Sequence, residues 1–202
     1  MYLGPISGAN APNLALNFRC AAFLAGGLLA GCAATPPDLG ATREQVGDFS
    51  VDARFALRAG GPDGKPLSSG GRLTWEHRSD SDRVLILSPF GTGIAEIESG
   101  PGGAVLRLAD GRTRVEADPD ALIAEVTGQR LPVRRLPYWL LGRAAGVERD
   151  GSGRPLRASE AGWQIAYTYG DDAPGALPAG LTVTRGSEVE LRLHLEEWRQ
   201  AP

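Results

Sequence analysis

Two histidines and two cysteines are all this sequence offers of the side chains that most often ligate metals or act as strong nucleophiles. His77 ends an alternating segment beside charged residues. His194 falls on the polar side of another alternation. Neither has companions at metal-ligand or triad spacing, so structural or surface roles are expected. Glu76, Glu96 and Glu98 also alternate along extended segments, which places them on a solvated face and not in an acid–base pair. Two stretches imitate nucleotide motifs. "AGGPDGKP" has Ala59 where a phosphate loop needs Gly and Pro66 where it needs Ser or Thr. "GTGIAE" begins like a dinucleotide fingerprint but lacks the third Gly and a βαβ setting. No enzymatic reaction, metal or cofactor is expected.

The cysteines, Cys20 and Cys32, both lie before the patterned region, so that region has neither a disulfide nor a thiolate metal site. Residues 20–30, "CAAFLAGGLLA", form a short apolar run behind Arg19. The run is too short to span a bilayer as a helix and reads as a secretory signal. It ends in Leu29-Ala30-Gly31-Cys32, which resembles the bacterial lipobox. There the thiol becomes a thioether to diacylglycerol and the new N-terminus is acylated. Such an anchor exceeds the two lipid signals that stable membrane attachment requires. Ala33 follows, not an acidic residue, which favours the outer membrane. Residues 1–31 are thus expected to be signal peptide. Residues 32–48, with Pro36, Pro37 and Gly40, are expected to be an acylated tether without a core-forming pattern.

The elements that position the remaining residues follow from periodicity. The chain has 202 residues, 42% hydrophobic, enough for a core. Its net charge is −3 and Lys65 is its only lysine, so no basic field points to nucleic acid. Phe49, Val51, Ala53, Phe55 and Leu57 alternate as a half-buried strand. "RLTWEH" puts Leu73 and Trp75 on one face. "RVLILS" is apolar on both faces and reads as a central strand covered on each side. "GIAEIE" alternates, and "AVLRLADGRTRVEA" is a hairpin bent at Asp110-Gly111. Asp118, Pro119 and Gly128 mark a helix bearing Leu122, Ile123 and Val126. "RLPYWLLGRA" is a second helix. Strands resume at 162–170, 180–186 and 188–198. Short connections and period-two alternation give an antiparallel sheet, not βαβ units.

In order and spacing, these pieces resemble the LolB family. "LILSPFGTGIAEI" matches its strand, Pro-apolar-Gly turn and strand. "EVTGQRLPVRRLPYWLLGR" matches its helical segment, and "GWQIAYTYGD…LPAGLTVTRGSEVELRLHLEEW" its closing strands. The resemblance covers Cys32 to Trp198. It implies a mainly β fold: a strongly curved, incompletely closed antiparallel β-barrel over an apolar cavity, with short helices as lid. The domain would occupy 49–198, with a C-terminal tail at 199–202. The implied role is that of a monomeric outer-membrane receptor, facing the periplasm. It would take acylated lipoprotein cargo from the periplasmic carrier LolA and insert it among outer-membrane lipids without ATP. An outer-membrane lipoprotein that binds lipid or serves structurally, without transfer, is the alternative.

The resemblance also assigns residues. Cys32 is the lipidation site. Phe90, between Pro89 and Gly91, takes the position of an apolar residue on a protruding loop, where the family more often has Leu. Phe55, Trp75, Leu85, Leu87, Ile94, Trp139 and Leu140 are candidates for the cavity or its lid, although an ordinary filled core has the same sequence signature. Arg130, Arg134 and Arg135 could dock an acidic carrier surface or merely flank a helix. For Phe90 there are two readings: a plug folded back onto the barrel, or an exposed tip that dips into the bilayer interface. The second is favoured here.

Overall fold

The computed structural model describes residues 42–61 and 65–201. Cys32, the expected signal peptide and most of the expected tether lie outside the described residues. The strands are β1 (Phe49–Gly60), β2 (Pro66–Arg78), β3 (Ser81–Leu87), β4 (Gly93–Gly100), β5 (Gly103–Leu108) and β6 (Thr113–Glu116). After them come α1 (Pro119–Thr127) and α2 (Leu136–Leu140). The chain then returns as β7 (Glu148–Arg149), β8 (Pro155–Glu160), β9 (Trp163–Thr168), β10 (Gly180–Arg185) and β11 (Val189–Arg199). All strands join one antiparallel sheet in the order β6-β5-β4-β3-β2-β1-β11-β10-β9-β8-β7. The sheet does not close, so β6 and β7 are free edges.

β1 holds the sheet together. It pairs with β2 along its whole length and with β11 from Ser50↔Arg199 to Ala59↔Val189. The first and last strands of the domain are therefore neighbours. Alternation sends Phe49, Val51, Ala53, Leu57 and Ala59 to one face, and Leu191, Leu193 and Leu195 to the same face. That face is concave and apolar. Curvature has visible sources: the register slips between Asp52 and Ala53 against β11, and between Ile86 and Leu87 against β4. Gly71 adds a third. A Cβ there would stand 2.2 Å from the Leu87 carbonyl oxygen and 3.0 Å from the Phe55 ring. The ring lies where a side chain on β2 would otherwise stand, which lets the two strands bend around it.

The local signals of α1 act as expected. Asp118 accepts from the Asp120 N–H, Pro119 opens the helix, and Gly128 closes it at φ 73° with its N–H on the Ala124 carbonyl. Leu122 and Ile123 bury against the concave face. α2 is shorter than its sequence segment suggested. It ends before Gly142, whose φ is +67° and whose missing Cβ leaves room for Pro155.

Three sequence expectations change. β3 has no cover on its outer side: Val84 and Ile86 are buried inward, while Leu85 and Leu87 are only half-buried on the convex face. β7 and β8 carry no alternation strong enough to announce them, and they extend the sheet by two strands. The segment before β1 is not all tether-like. Arg43 and Val46 are buried, and the Arg143 guanidinium donates to the carbonyls of Arg43, Glu44 and Val46 at 3.4, 3.3 and 2.5 Å.

Gly71→Ala should lower stability by about 2 kcal/mol, the usual range for forcing atoms into a packed site. A reduced urea midpoint with unchanged slope checks this. A midpoint equal to that of the native protein would remove Gly71 from the account of curvature.

Candidate functional site

An apolar cavity of about 50 Å³ lies between the concave face and the helices. Phe55, Leu73, Trp75, Val84, Ile86, Leu191 and Leu193 form its sheet wall. Ile123 and Thr127 of α1, Leu131 and Val133 of the connection, and Leu136 of α2 form its roof. Thr127 is the one polar side chain, and its hydroxyl donates to the Ile123 carbonyl at 2.8 Å. No polar group is left to orient a polar ligand. The surroundings suit an alkyl chain, which gains about 0.8 kcal/mol for each methylene removed from water.

The alternation of β2 and β3 decides which expected residues reach this cavity. Phe55 and Trp75 line it. Val84 opposes Trp75, and Ile86 opposes Leu73, so those two face inward. Leu85, Leu87 and Ile94 therefore stand on the convex face and do not line the cavity; Leu85 is opposite Glu96, and Ile94 is 40% exposed. Trp139 and Leu140 belong to the lid helix but are fully buried in the core beside it. Trp139 packs on Trp163 with ring centroids 6.3 Å apart. The cavity residues that sequence reasoning missed lie both on the sheet, at Leu73, Val84, Ile86, Leu191 and Leu193, and on the lid and its connection. Leu131 and Val133 flank Pro132, a stretch with no periodicity to mark them.

Trp75 is held by more than packing. Its Nε1–H donates to Asp82 Oδ1 at 2.8 Å, and His77 Nδ1 reaches the same oxygen at 2.8 Å. His77 is buried between Phe49 and Tyr138, with centroids 5.2 and 6.1 Å away. Its role is structural, as expected. His194 is exposed on the convex face. Glu96 and Glu98 also lie on that face and pair with Arg83 and Arg107 at 3.0 and 2.6 Å. Arg107 holds the Glu98 carboxyl below its ordinary range.

The three arginines sit around the lid, each with an acidic neighbour. Arg130 bonds Asp118 at 2.5 Å, and Arg134 stands 3.7 Å from the same carboxylate. Arg135 pairs with Glu160 at 2.5 Å and lies over the Tyr138 ring at 5.3 Å. Glu160 also accepts the Ala145 N–H at 2.7 Å. Burial raises the Glu160 pKa, but the Ala145 N–H and Arg135 outweigh it, and the carboxyl lies below its usual range. Arg130 and Arg134 remain largely exposed.

The β3–β4 hairpin tip is the most exposed apolar feature. The Ser88 N–H donates to the Thr92 carbonyl at 2.8 Å, and the Gly91 N–H donates to the Ser88 carbonyl at 2.9 Å. Ser88 Oγ accepts the Thr92 N–H at 3.1 Å. Pro89 presets its own φ, and Gly91 turns back at φ 87°, a region that side chains avoid. The tip is therefore stiff, and Phe90 at its apex is 97% exposed. The ring does not fold back onto the barrel.

An open antiparallel half-barrel, with one apolar concave face under short helices, is the class of sheet protein that the fold and cavity define. Family comparison narrows it. Residues 47–198 match the model of "Outer membrane lipoprotein LolB". An outer-membrane lipoprotein LolB of Dechloromonas aromatica is 52% identical over 93% of this chain and 100% of its own length. Those of Bordetella petrii and Halorhodospira halophila are 37% and 34% identical, over 89% and 90% of this chain and 94% of each relative. The chain belongs to the LolB family of outer-membrane lipoproteins, and this membership supports a role in localising lipoproteins to the outer membrane. A solved LolA superfamily protein from Nitrosomonas europaea shares 9% identity over 77% of this chain and 87% of its own, with a TM-score of 0.46, too distant to add to that assignment. No helix among the described residues is long and apolar enough to cross a membrane.

Glu160 ties the lid to β8, and its depressed pKa gives the tie a pH window. The contribution is complete above the unfolded value of 4.5 and is lost as pH falls through the lower folded value. Glu160→Gln should therefore be less stable than native at neutral pH, and the gap should shrink on acidification. Denaturant melts across that range check it. A gap that widens in acid would reverse the sign of the argument.

Proposed function

We propose that this chain is a periplasm-facing receptor, anchored in the outer membrane through acylated Cys32. It takes acylated lipoproteins from a LolA-type periplasmic carrier and releases them into the membrane without nucleotide hydrolysis. The observation that carries this reading is the pairing of an all-apolar cavity with a rigid, fully exposed aromatic tip on the same sheet. A wet acyl chain of ordinary length costs roughly 10 kcal/mol, so cargo must pass from one apolar site to another. Binding strengths that increase from carrier to receptor to bilayer are sufficient to drive the passage.

The cavity's size adds a requirement. By the measure in which about 10–15 Å³ takes one water, about 50 Å³ holds only a few groups of that size. An acyl chain needs far more, so the roof formed by Leu131, Val133 and Leu136 must lift during loading. Arg130 and Arg134, exposed beside that roof, are the charges that meet an acidic carrier. Arg135 is a poorer docking candidate because it is less exposed, lies over the Tyr138 ring and is paired with a Glu160 that is itself mostly covered. Replacing Arg130 and Arg134 with Gln should slow loading and flatten its salt dependence. Loading rates unchanged across a salt series would remove them from docking.

The tip gives the decisive test. Burying the Phe90 ring in the bilayer interface gains up to roughly 3 kcal/mol. Phe90→Glu should melt like the native protein and still accept cargo from a loaded carrier, yet fail to deliver it to liposomes. Phe90→Leu should deliver nearly as well as native. Normal delivery by Phe90→Glu would overturn the membrane-contact role.

A further inference from the structure

Below the main cavity lies a second void of about 10 Å³, room for about one water. Trp75, Val84, Ile123 and Val133 line both spaces and are the wall between them. Beyond the wall the second void continues along Ile97 and Pro119, and ends at Asp82 and Ser99. Trp75 is the largest member of the wall and the one fixed by a hydrogen bond. Asp82 Oδ1 accepts both the Trp75 indole N–H and His77 Nδ1. His77 is in turn wedged between Phe49 and Tyr138. The indole is thus latched across the floor of the cavity by a carboxylate that is itself oriented.

We propose that Trp75 sets how deep an acyl chain penetrates, and that Asp82 is the positioning residue that holds it in place. The inference rests on the proposed acyl-binding function and adds to it a specificity for chain length. A purely apolar wall would yield to a long chain at the cost of packing alone. A latched indole yields only if a partly buried hydrogen bond is broken and the Asp82 carboxylate loses one of its two donors. Chains that end at the indole bind without that cost, whereas longer chains must leave their remaining methylenes near the mouth. The length dependence should therefore level off. Removing the indole joins the two spaces, and each further methylene admitted should raise affinity roughly fourfold.

The test uses the full chain carrying Cys32→Ala, which removes the acylation target, and dansyl-labelled n-alkyl amines from decyl to octadecyl. Fluorescence titration gives the ratio of octadecyl to decyl affinity, and thermal melts accompany each variant. Trp75→Ala should raise that ratio by at least about tenfold. Asp82→Ala should raise it less, and Asp82→Asn, which retains an acceptor oxygen, should stay near native. A role confined to folding would lower the melting temperature and weaken all probes alike, leaving the ratio unmoved. Ratios within about twofold of native in both Trp75→Ala and Asp82→Ala overturn the inference alone. Where Trp75→Ala does not fold, Asp82→Ala decides, since its side chain lies near the surface. Failure of the unsubstituted cavity to take up any probe overturns the proposed function, and the inference with it.

Discussion

A single sheet with an apolar concave face must be shielded from water, and the rest of this structure answers that constraint. A sandwich would cover the face with a second sheet and leave no room. Here two short helices and their connection do the covering. The sheet is long because one layer has to wrap around its own interior. β1 makes that possible by pairing on both sides, so the two halves of the sheet curve away from a common central strand. The glycine at position 71 and the two register slips supply bend where larger side chains and regular ladders would resist it.

The lid is attached by apolar burial, with Leu122, Ile123, Leu131, Leu136, Trp139 and Leu140 all in the core, and charges trim its rim. Asp118 caps α1 and draws in Arg130 and Arg134, while Arg135 reaches across to Glu160. Exposed ion pairs are individually weak, about 0.2–1 kcal/mol. They therefore add little to the apolar attachment of the lid. Beneath it, Trp139 and Leu140 are fully buried, so this part of the lid is continuous with the core.

Much of this was legible in the sequence, and the failures have physical reasons. The hairpins and α1 were readable because their signals are local: Asp110-Gly111 at a bend, Asp118-Pro119 at a start, Gly128 at an end. The Phe90 tip was readable for the same reason. β8 was not, because "PLRASE" places only Pro155 and the small Ala158 inside, at a spacing of three, and shows no period-two alternation. The facing of β3 was ambiguous because "VLIL" is apolar at every position, and only pairing with β2 selects Val84 and Ile86. A tryptophan on a cavity wall and one in a filled core look alike, so Trp75 and Trp139 could not be told apart. The Arg143 clamp has no signature at all, since backbone carbonyls are present in every sequence.

The two free edges of the sheet have a consequence for crowding. An outer-membrane lipoprotein diffuses in a plane, where neighbouring copies meet far more often than in free solution. Long exposed edges would then stitch copies together into ribbons. β7 offers only Glu148 and Arg149, too short a seam to register with a neighbour. β6 has four residues, and Arg114 and Glu116 flank its exposed Val115. Brevity and charge at the two ends leave an unclosed sheet little edge for a neighbouring copy to pair with.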